Sequence, residues 1–378
     1  MSRNRLILIF ALLAVLCIVV IVVATLVINA NRSYQANRPT PAPTGTPIPD
    51  MASLHCLGGQ IYLNDPEIKR ILREEYQLDV TVEAMGSFQM VAPETDYSNV
   101  DCVWTGSLAA YEALGVNHPG AEIDHETVFV TFLMNFTWEN YLKPALEAGI
   151  VRQQGNAYVM DMEPVVRGML NEQTWADLGI PEIPSYINMR FSAPESSGGG
   201  LSSLALMGAY LTPRAEGAPA RPIRDADLGE LLPQLAHIWE VAGQQSDSSP
   251  ENFDEFRTKG WPWVISSESL FLGYLKSLPP EQQKQVTDKI IGVYPEYTMS
   301  TDHVLVCVKE PCLRLLEAFR NDERLQRIGW DNYGMRLGIG GVGARPGDTD
   351  IEWILPNPQF IPDPKQSVTD AIQDAIQQ

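Results

Sequence analysis

Repeatedly in this chain an apolar, β-prone run stops at a loop of glycine, serine or threonine, and a helical pattern follows. Leu54 to Ile61 ends in Gly58-Gly59, Leu78 to Ala84 leads to Gly86-Ser87, and Val100 to Trp104 leads to Thr105-Gly106-Ser107. Strands alternating with helical stretches predict βαβ units and a sheet covered by helices on both faces. In such open sheets ligands bind outside the carboxyl ends of the strands, which is where these loops stand. The alternation therefore predicts an α/β fold. It also makes Gly86, Ser87, Thr105, Gly106 and Ser107 candidate hydrogen-bonding positions.

The most pronounced case is Arg190 to Met207. Ile187 to Phe191 predicts a strand, and Leu201, Leu204, Ala205 and Leu206 predict one face of an apolar helix. Between them lie Ser192, Ser196, Ser197 and the glycines from Gly198 to Gly200. The first turn of a helix has unpartnered N–H groups and a partial positive charge, which suit an anion or a polar ligand. Serines add hydroxyl donors, and glycines let a ligand approach the backbone. The other reading is an N-capped loop that holds nothing.

Elsewhere the punctuation is clear. Asp65-Pro66 predicts a helix start, a cap followed by proline at the first position, with Ile68, Ile71 and Leu72 as the buried face. Thr127 to Met134 predicts a buried strand, after which Thr137 caps a helix from Trp138 to Leu146. Leu228 to Trp239 predicts an amphipathic helix ended by Gly243. In Lys259 to Ser269 a strand passes into a helix, with Ser266 or Ser267 as cap and Glu268 in the first turn. Lys289 to Tyr294 and His303 to Val308 are β-rich, and Pro311 opens a helix that runs to Ile328. The end from Asp348 predicts a strap lying over the surface, finishing in a short polar tail.

The amino-terminal part sets the compartment. Leu6 to Ile28 is an almost unbroken apolar run, long enough to span a bilayer as a helix. Its length and the absence of a small-residue cleavage site favour an uncleaved anchor over a signal peptide. Residues 30–50 are rich in Pro, Thr and Asn without periodicity, as in a semi-extended tether. The formal charge of the whole chain is −20. Residues 1–50 hold four of the 27 basic residues and one of the 47 acidic ones, so the remainder carries −23. No Lys/Arg-rich run offers the basic footprint that nucleic-acid binding needs. Cys56, Cys102, Cys307 and Cys312 lie beyond the apolar run, an even number compatible with two disulfides in an oxidising compartment. Free buried thiols are the other reading, and no C-x-x-C pair marks a zinc site.

Catalytic signatures are lacking. Gly338-Ile-Gly-Gly-Val-Gly343 matches G-x-G-x-x-G, but Ala344-Arg-Pro-Gly follows it and cannot open the helix that a dinucleotide fingerprint needs. There are five histidines and no G-x-S-x-G elbow. His237 fits a surface or core histidine. Trp104, Trp261 and Trp263 stand at strand ends and serve either as core and hinge packing or as a stacking wall. Arg190 and Arg336 are the cationic clamps a carboxylate or oxyanion would need, with a surface ion pair preferred for Arg336. No catalytic residue, cofactor or metal ligand is assigned, and an extracellular hydrolase is the weakest reading.

Taken in order, several passages resemble those of extracellular solute-binding proteins with the type 2 periplasmic-binding-protein fold. They are Asp65-Pro-Glu-Ile-Lys-Arg-Ile-Leu, Asp79-Val-Thr-Val with Gly86-Ser87, and Val100-Asp-Cys-Val-Trp-Thr-Gly-Ser107. Leu146-Glu-Ala-Gly-Ile150, Thr174-Trp-Ala-Asp-Leu-Gly179 and the Ser192 to Gly198 loop follow. Tyr294-Pro-Glu-Tyr297 and Leu315 through Trp330 to Arg336 complete the set, which covers roughly residues 52–345. The resemblance implies two lobes joined by two hinge crossings, near Asn135 and Tyr297. Lobe I would be 51–134 with 298–347, and lobe II 135–297. A transmembrane anchor (1–29), a linker (30–50) and a carboxyl-terminal strap (348–378) complete the chain. Ligand contacts would come from Gly86, Ser87, Thr105, Gly106, Ser107, Ser192, Ser196, Ser197 and Gly198, with more near Ser267 and Glu268. The implied role is a membrane-anchored, outward-facing monomeric receptor that closes on a small polar or anionic solute and offers it to an ABC permease. A tethered sensory or interaction module of the same fold is the alternative.

Overall fold

The computed structural model describes residues 51–377, apart from 216, 244, 341, 342, 346 and 348–350. The predicted anchor at Leu6 to Ile28 and the linker lie outside the described residues. Among the described residues no helix is long and apolar enough to cross a membrane.

The first strands are β1 (Ala52–Gly58), β2 (Leu78–Glu83) and β3 (Cys102–Thr105), with β2 and β3 parallel to β1 on either side. β1 is shorter than predicted. Gly58 and Gly59 both take positive φ and turn the chain into the short helix α1 (Gln60–Leu63). A side chain at Gly58 would strike Met90 and the Trp104 carbonyl at 2.5 Å. The predicted cap at Asp65 is present, accepting from the N–H groups of Glu67 and Ile68 at the start of α2 (Pro66–Tyr76). α3 (Ser87–Met90) precedes β3, and α4 (Leu108–Asn117) follows it with Ser107 as side-chain cap.

Alternate residues of these strands enter different cores, as a pleat requires. Leu54, Cys56, Cys102 and Trp104 face Leu72, Leu315 and Phe319. Leu57 and Val103 face Leu114 and Val304 on the other side. Helices thus cover both faces, which explains the near-continuous apolar runs in the sequence. At one end of this sheet Cys56 is bonded to Cys102, and Cys307 to Cys312.

β4 (Asp124–Trp138) is longer than the predicted Thr127 to Met134, because it serves two sheets. Its first part pairs antiparallel with β9 (Thr298–Cys307), which in turn pairs with β3. Its last part, from Leu133, pairs instead with β7 (Trp263–Ser267) and β8 (Ile290–Pro295). β5 (Val151–Gln154) and β6 (Ala157–Met160) extend that second sheet through β8, giving the order β2-β1-β3-β9-β4-β8-β6-β5. Both β4 and the β8-to-β9 connection therefore pass from one sheet to the other. The second passage is held by Tyr210, whose hydroxyl donates to the Tyr297 carbonyl and accepts from the Tyr297 N–H.

Against the second sheet lie α5 (Glu139–Glu147), α7 (Gly198–Leu211) and α9 (Ser249–Lys259), while α6 (Met162–Leu170) and α8 (Leu228–Ala242) pack on α7. α7 is apolar all round and almost wholly buried, as such a helix must be. Two local expectations fail here. Thr137 does not cap α5; its hydroxyl donates to the Pro262 carbonyl. Ile187 to Phe191 is extended but forms only an isolated bridge, Arg190 to Val264, on the edge of β7 opposite to β4.

The rest comprises α10 (Glu268–Lys276), α11 (Pro280–Thr287), α12 (Cys312–Asn321), α13 (Glu323–Tyr333) and β10 (Arg336–Leu337), which pairs with β4. The single helix predicted from Pro311 to Ile328 is two, broken at Asp322, whose carboxylate caps α13. In the final segment β11 (Phe360–Ile361) runs parallel to the start of β9. The expected short polar tail is the helix α14 (Gln366–Ile376), whose Val368 and Ile372 bury against α8.

Candidate functional site

A cavity of ≈ 240 Å³ opens where the two sheets meet, and loops from both border it. From the first sheet come Gly86, Ser87 and Gly106. From the loop before α7 come Ser196, Ser197, Gly198 and Gly199, with Ser248 and Ser249 beside them. Thr131 of β4, Ser267 and Ser269 at the start of α10, and Thr301 and His303 of β9 complete its polar surface. No Lys or Arg stands among the described lining residues, and the one carboxylate is Asp247.

The walls are held by short local networks. Gly106 N–H donates to Ser87 Oγ at 2.9 Å, which ties the β2 and β3 loops together. Ser197 caps α7, its Oγ accepting from Gly200 N–H. Ser192 Oγ donates to Ser197 Oγ at 2.8 Å and lies 2.9 Å from Ser249 Oγ. Gly200 is required at that turn, since a Cβ there would lie 2.1 Å from the Ser192 carbonyl oxygen. Ser196 Oγ donates to the Asp247 carbonyl at 2.7 Å. On the floor, Ser269 N–H donates to Thr131 Oγ1, and Ser269 Oγ to Ser267 Oγ.

One rim is closed. A Cβ built on Gly86 would be 3.6 Å from the Ser196 carbonyl oxygen, and one on Gly198 would be 3.1 Å from Ser107. Two groups facing the space are chemically distinctive. Thr301, 6 % exposed, has a buried hydroxyl without a hydrogen-bond partner among the described residues. The His303 ring is pushed down to about 4 by withdrawal from water, so at neutral pH it is an uncharged imidazole.

Of the residues singled out from sequence, Gly86, Ser87, Gly106, Ser196, Ser197, Gly198 and Ser267 share this one cavity. Three others stand behind it. Thr105 is buried and donates to the Ser107 carbonyl, Ser107 caps α4, and Ser192 buttresses Ser197. Glu268 points the other way. It is fully buried, receives three bonds from the Arg336 guanidinium at 2.9 to 3.1 Å, and accepts from the Tyr294 hydroxyl at 2.9 Å. Arg336 is therefore in a buried ion pair, not the surface pair expected, and Arg190 stacks on Trp261 in a different hollow. Trp104 and Trp263 are core residues.

Thr131, Ser249, Ser269, Thr301 and His303 were not singled out from sequence. Thr131 lies within an apolar run and Thr301 within a polar stretch of long strands, where only the third dimension shows which face they take. Among the described residues no group of three or more His, Cys, Asp or Glu could hold a metal ion.

No protein-family model matches the chain, and no curated protein is similar to it in sequence. Solved structures do match its fold. The Trichodesmium protein IdiA (FutA), in complex with iron and citrate, gives a TM-score of 0.54 at 11% identity, covering 86% of this chain and 98% of that one. The periplasmic binding protein AfuA from Actinobacillus pleuropneumoniae, with fructose-6-phosphate bound, gives 0.54 at 11% identity, covering 87% and 97%. Apo ferric ion-binding protein A of Pasteurella haemolytica gives 0.56 at 12% identity, covering 86% and 96%. This chain thus has the mixed α/β, two-lobed fold of type 2 periplasmic binding proteins.

Proposed function

We propose that this protein is a membrane-anchored, extracytoplasmic receptor that captures a small polar or anionic solute between two lobes for an ABC-type importer. Lobe I would comprise 51–134 and 298–347, and lobe II 135–297, hinged where β4 and the β8-to-β9 connection cross. Residues 1–29 would anchor it, 30–50 would tether it, and 348–378 would strap the folded body, which acts as a monomer.

The observation that carries this reading is the cavity itself. Hydroxyls and glycine loops from both sheets converge on it, and Thr301 keeps an unpartnered buried hydroxyl there. Buried polar groups are normally paired, so an unpaired one on a cavity wall marks a place for a ligand or water. The start of α7 adds first-turn N–H groups and the positive end of a helix dipole. With no cation in the described lining, recognition rests on neutral donors, which select a solute carrying several oxygen acceptors. A small concave site of this kind is suited to holding a solute.

The test is a thermal-shift screen of the full-length protein in mild detergent against inorganic anions, small carboxylates, amino acids and sugars. A true ligand raises the melting temperature with the logarithm of its concentration over Kd. Ser87→Ala with Ser197→Ala should then weaken the hit by at least about tenfold, or about 1.4 kcal/mol. If nothing in the screen stabilises the protein, or the double substitution leaves affinity unchanged, the receptor reading fails.

A further inference from the structure

Beside the serine-lined cavity lies a second chamber that shares its wall. Ile61, Ser269, Leu270 and Met335 line both, so the two lie side by side. The second part measures ≈ 410 Å³, larger than the first, and its chemistry differs. Tyr62, Tyr274 and Tyr333 give it aromatic surface. Tyr62 is 1 % exposed, yet its hydroxyl has no hydrogen-bond partner among the described residues. Its ring stands edge-on to His303 of the first cavity and to Tyr333, at 5.8 and 5.2 Å between centroids. Ile61, at the junction, is 43% exposed, a large apolar side chain left in solvent where the chambers meet.

The chamber's strongest polar groups are already engaged. Tyr333 donates to Asp65 Oδ2 at 2.7 Å, and the Lys276 ammonium donates to the Trp330 carbonyl. Burial also lowers the Lys276 ammonium to about 8. What remains for a ligand is chiefly rings and aliphatic surface, with one buried phenol able to take or give a single hydrogen bond. Such surface favours a flat apolar group, which gains both area burial and ring contacts.

We infer that the second chamber is a subsite for a flat, apolar body carried by the same solute whose oxygen-bearing head sits among the serines. The inference rests on the receptor reading and narrows its ligand class. The solute is a two-part molecule, a small acid or polyol joined to an aromatic ring. A head alone would fill ≈ 240 Å³ and leave the larger, aromatic chamber beside it to water.

Matched probe pairs titrated calorimetrically into the full-length protein test this. The pairs are inorganic phosphate with phenyl phosphate, glucose with phenyl β-glucoside, and acetate with phenylacetate. In the pair whose parent binds, the aryl member should bind at least about tenfold tighter, about 1.4 kcal/mol. Gly273→Leu should remove that gain and leave the parent's affinity within about twofold. Gly273 lines only the second chamber, and a Cβ there meets nothing nearer than the Tyr333 backbone at 3.6 Å. Ser277→Trp, at the exposed rim, closes the same space if Gly273→Leu does not fold. Equal binding of parent and aryl members, or a gain that survives both substitutions, overturns the inference and leaves the receptor reading standing. Binding by no member of any pair overturns both.

Discussion

At the end of β7 the chain supplies two polar regions back to back. Ser267 looks into the cavity, and Glu268, the next residue, looks into the core. Around Glu268 the polar atoms are saturated. Both carboxylate oxygens accept from Arg336, one also accepts from Tyr294, and the guanidinium donates onward to the carbonyls of Gly343, Leu355 and Pro356. Both charged residues are fully buried. Around Ser267 the hydroxyls are only partly used, and Thr301 has none of its capacity met among the described residues. A saturated cluster holds the fold, whereas an unpaired hydroxyl on a cavity wall leaves a hydrogen bond for a ligand or water to make.

The sharpest way to break this contrast is to remove one partner of the saturated pair. Arg336→Met would leave Glu268 buried and uncompensated, at a cost of about 3–5 kcal/mol. Chemical denaturation should show that loss, and any ligand of the serine cavity should still bind the fraction that remains folded. Replacing both partners, with Glu268→Leu added to Arg336→Met, should recover much of the stability, because no charge is then left unpaired. A near-neutral Arg336→Met would mean that water reaches Glu268 and the core reading is wrong.

A smaller effect separates the two regions by pH. His303 titrates near 4 in the fold and about 6.5 when unfolded, so the native state favours the neutral ring. Between those values the unfolded chain binds more protons. The contribution of His303 is complete above pH 6.5 and disappears as pH falls towards 4. The full shift would correspond to about 3 kcal/mol. The ring is partly exposed on the cavity wall, so about 1 kcal/mol is the expected size. His303→Gln should flatten the fall in melting temperature between pH 6.5 and 4, and an unchanged slope would place the acid sensitivity elsewhere. Buried Asp363 works in the opposite sense. Burial, then the charges of Asp302 and Glu112, raise its pKa, so its destabilising effect grows as pH rises above the usual carboxylate range.

How far the sequence revealed these regions follows from the range of the interactions. The turn residues that border the cavity were legible, because Gly86, Ser87, Gly106 and Ser197 are where a strand must stop and a helix begin. The saturated cluster was not. Glu268 reads as an ordinary first-turn acid, and its partner lies 68 residues away on another element. The predicted strand at Ile187 to Phe191 had the right composition but meets β7 only at Arg190. The final helix was hidden by the opposite fault: its polar composition concealed Val368, Ile372 and Ile376, spaced four apart on the side that meets α8. The sulfur pairs lay between these cases. The cysteine count suggested two bonds, but Cys56 and Cys102 become partners only because β1 and β3 are adjacent in the sheet.

The smallest expected change in stability is also the most discriminating. Thr301→Val keeps the shape of the side chain and removes a buried hydroxyl that has no partner. For a hydroxyl that serves the fold, this substitution costs about 1 kcal/mol; for an unsatisfied one it is near neutral or slightly stabilising. The melting temperature of the unliganded protein should therefore stay within about two degrees of the wild type. Binding of the screened ligand should nevertheless fall by about three- to tenfold, the value of one neutral hydrogen bond. Arg336→Met predicts the reverse pattern, with stability lost and affinity kept. If Thr301→Val instead destabilises the empty protein and spares binding, its hydroxyl belongs with Glu268 among the groups that hold the fold, and the division between the two regions collapses.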